Sequence, residues 1–266
     1  MKEGASSRFL ENRLKFTPEI MEFSSAFSKV DVNGYHTLRE DLMTVNGTKR
    51  TWHLMKGGGK TKFEVYFLPD TNEWLKTMDP EVENIDKRIT MLKDGIDNVR
   101  TGLVESGLNE HAIAAKGCTV ERSDGSFTVG HKTKHIGPTV EYICKRLKGK
   151  NIDDDTKNSL EEVVIKGFNL AARLYILHDI WMEDPNPGNI VLNFDDLNNI
   201  KIALIDFESM NQYKGVEGDL YRERFESLFK RFEKKAKHAG ISISRDQESI
   251  ADPDVLYAER MKRKEI

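Results

Sequence analysis

The sequence predicts an α+β fold in two lobes: a small strand-rich N-terminal lobe over residues 1–137 and a mostly helical C-terminal lobe over residues 138–266. Three observations lead there. Short apolar runs separated by turn-forming residues fill the chain to about Asp70, the pattern of strands and hairpins. Between Pro80 and Ser106 the apolar positions Val82, Ile85, Ile89, Leu92, Ile96 and Val99 recur at spacings of three and four, the period of one helix face. The strongest helical pattern, Asp153 to Ile180, runs directly into a proline-rich irregular segment and two short apolar runs.

Taken in order, Val32-Asn33-Gly34 and Val45-Asn46-Gly47 are hairpin-type turn signals. Thr51–Met55 and Phe63–Leu68 read as strands, with Gly57-Gly58-Gly59 as the turn between them. Residues 112–136 return to strand character around a Ser123-Asp124-Gly125 turn, and Thr139–Leu147 reads as a short helix ended by Lys148-Gly149-Lys150-Asn151. Three aspartates open the long helix, where negative charge favours the N-terminus. Ile190-Val191-Leu192 and Ile202-Ala203-Leu204-Ile205 form a hairpin about Asn198-Asn199. Asp219–Ala239 is helical and rich in Arg and Lys, with Phe225, Leu228 and Phe232 as its core side. The polar residues beyond Ser242 are expected to fray.

Composition narrows the function. Lys plus Arg number 41 against 44 Asp plus Glu, so no global positive field points to nucleic acid or an acidic membrane. A mean hydropathy of −0.57 and the lack of an apolar run near twenty residues predict no membrane span. The charged first fifteen residues do not read as a classical signal peptide. Two cysteines, Cys118 and Cys144, argue against a disulfide scaffold and fit a reducing compartment. Gly57-Gly58-Gly59-Lys60-Thr61 looks superficially like a phosphate-binding loop, but Leu54 stands where that motif needs a glycine, and a strand, not a helix, follows.

The segment Asp184–Glu208 carries the chemistry. Asp184 lies on an irregular loop after the long helix, Asn189 follows five residues later at the start of a short strand, and the next strand ends in Ile205-Asp206-Phe207. A carboxamide and a carboxylate at adjacent hairpin ends can offer hard oxygens to Mg2+, which keeps several waters. Asp184 can then orient an acceptor hydroxyl and take its proton. Asp-Pro-Asn-Pro-Gly-Asn is also a run of turn formers, and a lone Asp206 after a strand could cap a helix, so the weight rests on the combination.

The spacing D-x-x-x-x-N, a strand, then D-F resembles the catalytic loop and metal-binding motif of the protein-kinase-like superfamily. The Pro-Gly-Asn form and Ile-Asp-Phe-Glu are similar to aminoglycoside and other small-molecule phosphotransferases, and to the reduced effector kinases that bacteria inject into host cells, the OspG/NleH group. The resemblance implies a bilobal kinase-like fold using ATP and Mg2+, with Asp184 catalytic and Asn189 and Asp206 as metal ligands. It also implies a phosphate-binding lysine in the N-lobe sheet held by a helix glutamate. Lys56 is the choice for the lysine, over Lys49, Lys60 and Lys62. Glu83 is the choice for the glutamate, with Glu105 as its rival, and Gly34 marks the nucleotide-covering turn. Three departures stand out: Met182 replaces the usual histidine, Glu208 replaces glycine, and no Ala-Pro-Glu follows, so the peptide-docking part of the C-lobe is reduced.

The expected activity is transfer of the ATP γ-phosphate to a hydroxyl, by a Ser/Thr protein kinase of the minimal effector type. A small-molecule kinase and an inactive nucleotide- or partner-binding module are the alternatives, and a reversed nucleotide would transfer AMP instead. The implied partner is a protein substrate, a host protein or an activating host factor. The expected location is the cytoplasm, or the host-cell cytosol for a secreted effector.

Overall fold

The computed structural model describes residues 37–55, 63–78, 101, 104, 116–134, 137–149, 151, 153–182, 186–193, 201–205, 210–212 and 220–264. The N-terminal part is a closed antiparallel barrel. It contains β1 (Thr37–Val45), β2 (Thr48–Met55), β3 (Phe63–Leu68), β4 (Glu73–Met78), β5 (Lys116–Glu121) and β6 (Phe127–Lys134), in the order β1-β2-β3-β4-β6-β5. The Val45-Asn46-Gly47 signal is the β1–β2 turn, with φ of 48° at Asn46 and 78° at Gly47, the left-handed pair that suits a two-residue hairpin. The same asparagine closes the barrel: its amide nitrogen donates to the Thr119 carbonyl at 3.1 Å, and its side-chain oxygen accepts from the Thr119 N–H at 3.0 Å.

Alternation decides which side chains fill the barrel. Met43, Val45, Trp52, Leu54, Tyr66, Leu68, Leu75, Cys118 and Val120 form one buried cluster inside it. Gly130 on β6 is required by a close approach: a Cβ there would stand 2.3 Å from the Lys76 carbonyl oxygen on β4. A second buried group, Met55 and Phe67, packs with Trp74, whose ring centroid is 4.7 Å from that of Phe67.

The C-terminal part is built on one helix. In chain order it comprises α1 (Val140–Leu147), α2 (Asp154–His178), β7 (Ile180–Met182), a 3-10 turn (Pro187–Asn189), β8 (Ile190–Asn193), β9 (Lys201–Leu204), β10 (Met210–Gln212), α3 (Leu220–His238) and α4 (Pro253–Lys264). Asp153 caps α2, its carboxylate accepting from the Thr156 N–H at 2.7 Å; such a cap stabilises by about 1 kcal/mol. That bond draws the Asp153 carboxyl below the usual range. Phe168, fully buried on α2, meets Phe225, Phe229 and Phe232 of α3 edge-on at 5.2, 5.2 and 5.7 Å.

The expectation that residues after Ser242 fray is corrected. Ile241, Ile243, Ile250 and Leu256 are buried, and α4 packs against α2. The Asn169 side chain brackets the approach, donating to the Ser249 carbonyl at 2.7 Å and accepting from the Ala251 N–H at 2.8 Å. The reason the segment looked solvated is that its deepest residue is Arg260, 3% exposed, whose charge Asp179 neutralises. No described helix is long and apolar enough to cross a membrane. The expected helix over 80–106 lies almost wholly outside the described residues, as does the Gly57-Gly58-Gly59 turn.

Candidate functional site

Two small sheets bracket the motif along the chain. β7 pairs antiparallel with β10 through Met182↔Met210, and β8 pairs with β9 through Ile190↔Leu204. Between them the chain makes the 3-10 turn. The Asn186 side-chain oxygen accepts from the Gly188 N–H at 2.7 Å, and the Asn186 carbonyl accepts from the Asn189 N–H at 3.0 Å. Proline at the first turn position suits this geometry, because its missing N–H would have had no partner there. Asn189 is 7% exposed. The Ile205 N–H donates to the Asn189 carbonyl at 2.9 Å, continuing the ladder one step past the hairpin's open end. Asn189 and Ile205 therefore face each other, and Asp206 is the next residue along the chain. The Leu192 N–H donates to Pro138 at 3.1 Å, tying the hairpin to the segment that leads into α1.

Of the residues singled out from sequence, Asn189 is described, and so is Lys49, a rival for the phosphate-binding lysine, which is exposed on β2. Asp184, Asp206, Lys56, Glu83 and Gly34 lie outside the described residues, as do Glu105, Lys60 and Lys62. Asp184 follows Met182, the last residue of β7, by two positions. Lys56 follows Met55, the last residue of β2.

The barrel adds a lysine that the sequence reading passed over. Lys76 lies on β4, the last strand before the helical period that begins at Pro80, and pairs with Val65 on β3 and His131 on β6. Its neighbours Leu75 and Thr77 are fully buried, so alternation puts Lys76 on the outer face of the barrel. The signal was present in Trp74-Leu75-Lys76-Thr77 after the Asp70-Thr71-Asn72 turn, where Asn72 takes φ of 57°.

Helix α2 positions the hairpin by direct contact. A Cβ on Gly167 would stand 2.4 Å from Ile190 Cδ1 and 2.8 Å from its Cγ1, so glycine lets the strand that follows Asn189 lie against the helix. The C-terminal end of α2 is held as closely. Asp179 caps it in the left-handed region at φ 56°, its N–H donating to the carbonyls of Leu174 and Tyr175. Arg260 then grips Asp179 with two bonds of 2.8 Å and donates to the Ile176 carbonyl at 2.7 Å. The bidentate fork fixes the point from which β7 departs. His178, beside it, is pushed down to about 4 by burial and then by the nearby Arg263 and Arg173, so its ring is neutral at pH 7.

The family model of the ABC1 atypical kinase-like domain matches residues 138–239, which span α1, α2, the 3-10 turn, the β8–β9 hairpin and α3. No curated protein matches the chain. Among solved structures, the chain is similar to "ROP18 kinase domain in complex with AMP-PNP and sucrose", at 14% identity and a TM-score of 0.45, covering 80% of this chain and 65% of that one. The Toxoplasma gondii specific rhoptry antigen kinase domain matches at 13% identity and 0.43, covering 80% and 67%. The Mycobacterium tuberculosis PknI kinase domain matches at 15% and 0.43, covering 74% and 76%. The chain spans just under two thirds of the first structure's length. In its helical part, the chain is thus similar to an atypical kinase-like domain.

Proposed function

We propose that the protein is an ATP- and Mg2+-dependent phosphotransferase that moves the γ-phosphoryl group to a hydroxyl. The observation that carries this reading is the Ile205-to-Asn189 backbone bond, which puts the carboxamide-bearing residue one position across from Asp206. A buried Asn at a hairpin end, paired across the hairpin with the residue that precedes Asp206, would with that carboxylate supply hard oxygens of the kind that suit Mg2+. Asn189 and Asp206 would hold the ion, which when bound offsets the charge of the phosphates. Asp184 orients the acceptor hydroxyl and takes its proton as the new P–O bond forms and ADP leaves. Lys76, on the strand that feeds the helical stretch carrying Glu83, is our candidate to hold the α and β phosphates, alongside Lys56. We propose a protein Ser/Thr hydroxyl as acceptor, with a small-molecule hydroxyl as the alternative.

The test is label transfer from γ-labelled ATP with Mg2+, alone and with cell lysate. Asp184→Ala is expected to lower the rate by at least about a hundredfold, the scale of losing a general base. Asp206→Ala is expected to abolish both transfer and Mg2+-dependent nucleotide binding, with the circular dichroism spectrum unchanged. One feature favours a second reading, an inactive nucleotide-binding module: the residue paired with Met210 at the end of β7 is Met182, so the loop lacks a histidine brace. Thermal stabilisation by ATP with no transfer, even in lysate, would select that reading.

A further inference from the structure

A cavity of about 430 Å3 opens between the C-terminal end of α1, the first turns of α2 and the C-terminal end of α3. Its apolar lining comes from Cys144, Leu147, Leu160 and Ile241. Its charged lining is mostly cationic: Lys145, Lys148, Lys157 and Lys237, with His238, against the carboxylates of Glu141 and Glu161. Lys145 spends its charge on Glu141 at 2.8 Å and Lys157 on Asp154 at 3.0 Å. The ammonium groups of Lys148 and Lys237 have no ion-pair or hydrogen-bond partner among the described residues. Burial pushes the Glu161 carboxyl up.

The two lysines are not needed to cap their helices. The carbonyls at the end of α3 accept the N–H groups of Ala239, Gly240 and Ile241, and Gly240 turns the chain at φ 84°. Gly149, at φ 83°, sits at the matching position after α1. In a chain of net charge −3, two unpaired ammonium groups beside an apolar pocket of ligand size are a local excess.

We infer that this cavity is a binding site for a soluble organic anion: a phosphate monoester, sulfonate or carboxylate on an apolar body, the anionic group on Lys148 and Lys237 and the body on Cys144, Leu147 and Leu160. The inference does not depend on phosphotransfer. One wall adjoins the Asn189 turn, since Glu141 Oε2 lies where a Cβ on Gly188 would come within 2.6 Å.

The probe is 8-anilinonaphthalene-1-sulfonate, an apolar body with one sulfonate, titrated into the full chain by fluorescence. For a ligand of this size the expected Kd is on the order of tens of micromolar. Octyl phosphate should compete and inorganic phosphate should compete far less. Lys148→Glu/Lys237→Glu, with an unchanged melting temperature, should weaken the probe at least about tenfold, because it reverses two charges at the anion's seat. Saturating probe should slow maleimide labelling of Cys144. Equal affinity in the charge-reversed variant, unprotected Cys144, or competition by inorganic phosphate as strong as by octyl phosphate would each overturn the assignment. If the charge-reversed variant melts lower, Lys148→Met/Lys237→Met gives the same reading without added negative charge.

Discussion

Gly167→Ala tests whether α2 sets the position of the candidate site. The new methyl would sit 2.4 Å from Ile190 Cδ1 and 2.8 Å from Cγ1, while carbon contacts settle near about 3.5–4.0 Å. Ile190 is fully buried, so it has no solvent to retreat into and must move by roughly 1 Å within the core. Overpacking of this kind costs about 1–3 kcal/mol, and replacing a helical glycine by alanine returns about 1 kcal/mol. The expected net loss is about 1 kcal/mol, read by urea denaturation as a fall in midpoint with the slope unchanged. Ile190→Val removes the atom that clashes most. Alone it should cost about 1 kcal/mol; beside Gly167→Ala it should cost little or restore stability, a coupling of about 1 kcal/mol. Because Ile190 follows Asn189 directly, Gly167→Ala should also reduce phosphotransfer more than its stability loss explains, with recovery in the double variant. A Gly167→Ala protein that gains the full propensity increment, with the two substitutions strictly additive, would refute the contact and the reasoning built on it.

Two further predictions concern the end of the same helix. Arg260→Met removes both bonds to Asp179 and the one to the Ile176 carbonyl, leaving a half-buried carboxylate and a buried carbonyl without partners; the loss should be about 3–5 kcal/mol by denaturation, and Asp179→Asn should lose less. His178 is held at about 4 in the fold against an ordinary value of 6.5, so the unfolded chain binds the proton more readily and stability falls as pH drops from about 6.5 to 4. Across that window the His178 contribution lost is about 1–2 kcal/mol after allowance for its partial exposure, and His178→Gln should flatten the difference in stability between pH 7 and pH 4.5 by about that amount.

The parts of the molecule that were legible in the sequence are those whose cause is local. The α2 helix announces itself by its aspartates and its apolar period, and Asp153 is indeed its cap. The β8–β9 hairpin follows from two short apolar runs, and Asn189 stands at its open end because the motif spacing puts it there. What escaped depends on distant partners. The barrel closes because Val45 meets Val120 and Gly130 clears Lys76, contacts across tens of residues that leave no local pattern. Strand β4 hid behind a charged residue in a short run, and Lys76 was passed over with it. Helix α4 hid because its burial is centred on an arginine, and a search for apolar periodicity discounts a charge whose counter-ion lies on another helix.

Under the proposed function, the same arginine bears on how so short a motif would work without the usual histidine. A catalytic carboxylate must be aimed within a fraction of an ångström, and a loop alone does not supply that. Here the loop leaves from Asp179, whose left-handed cap and bidentate grip by Arg260 fix the direction of β7, and it returns into Ile190, which Gly167 seats against α2. Both ends of the segment that carries Asp184 are thus anchored to one helix that is itself locked by Phe168 among three phenylalanines of α3. Rigidity at the two ends is a physical substitute for a brace in the middle. It follows that removing α4, far along the chain from the motif, should loosen the loop by releasing its first anchor while the second holds. Activity should then fall through kcat before nucleotide binding weakens.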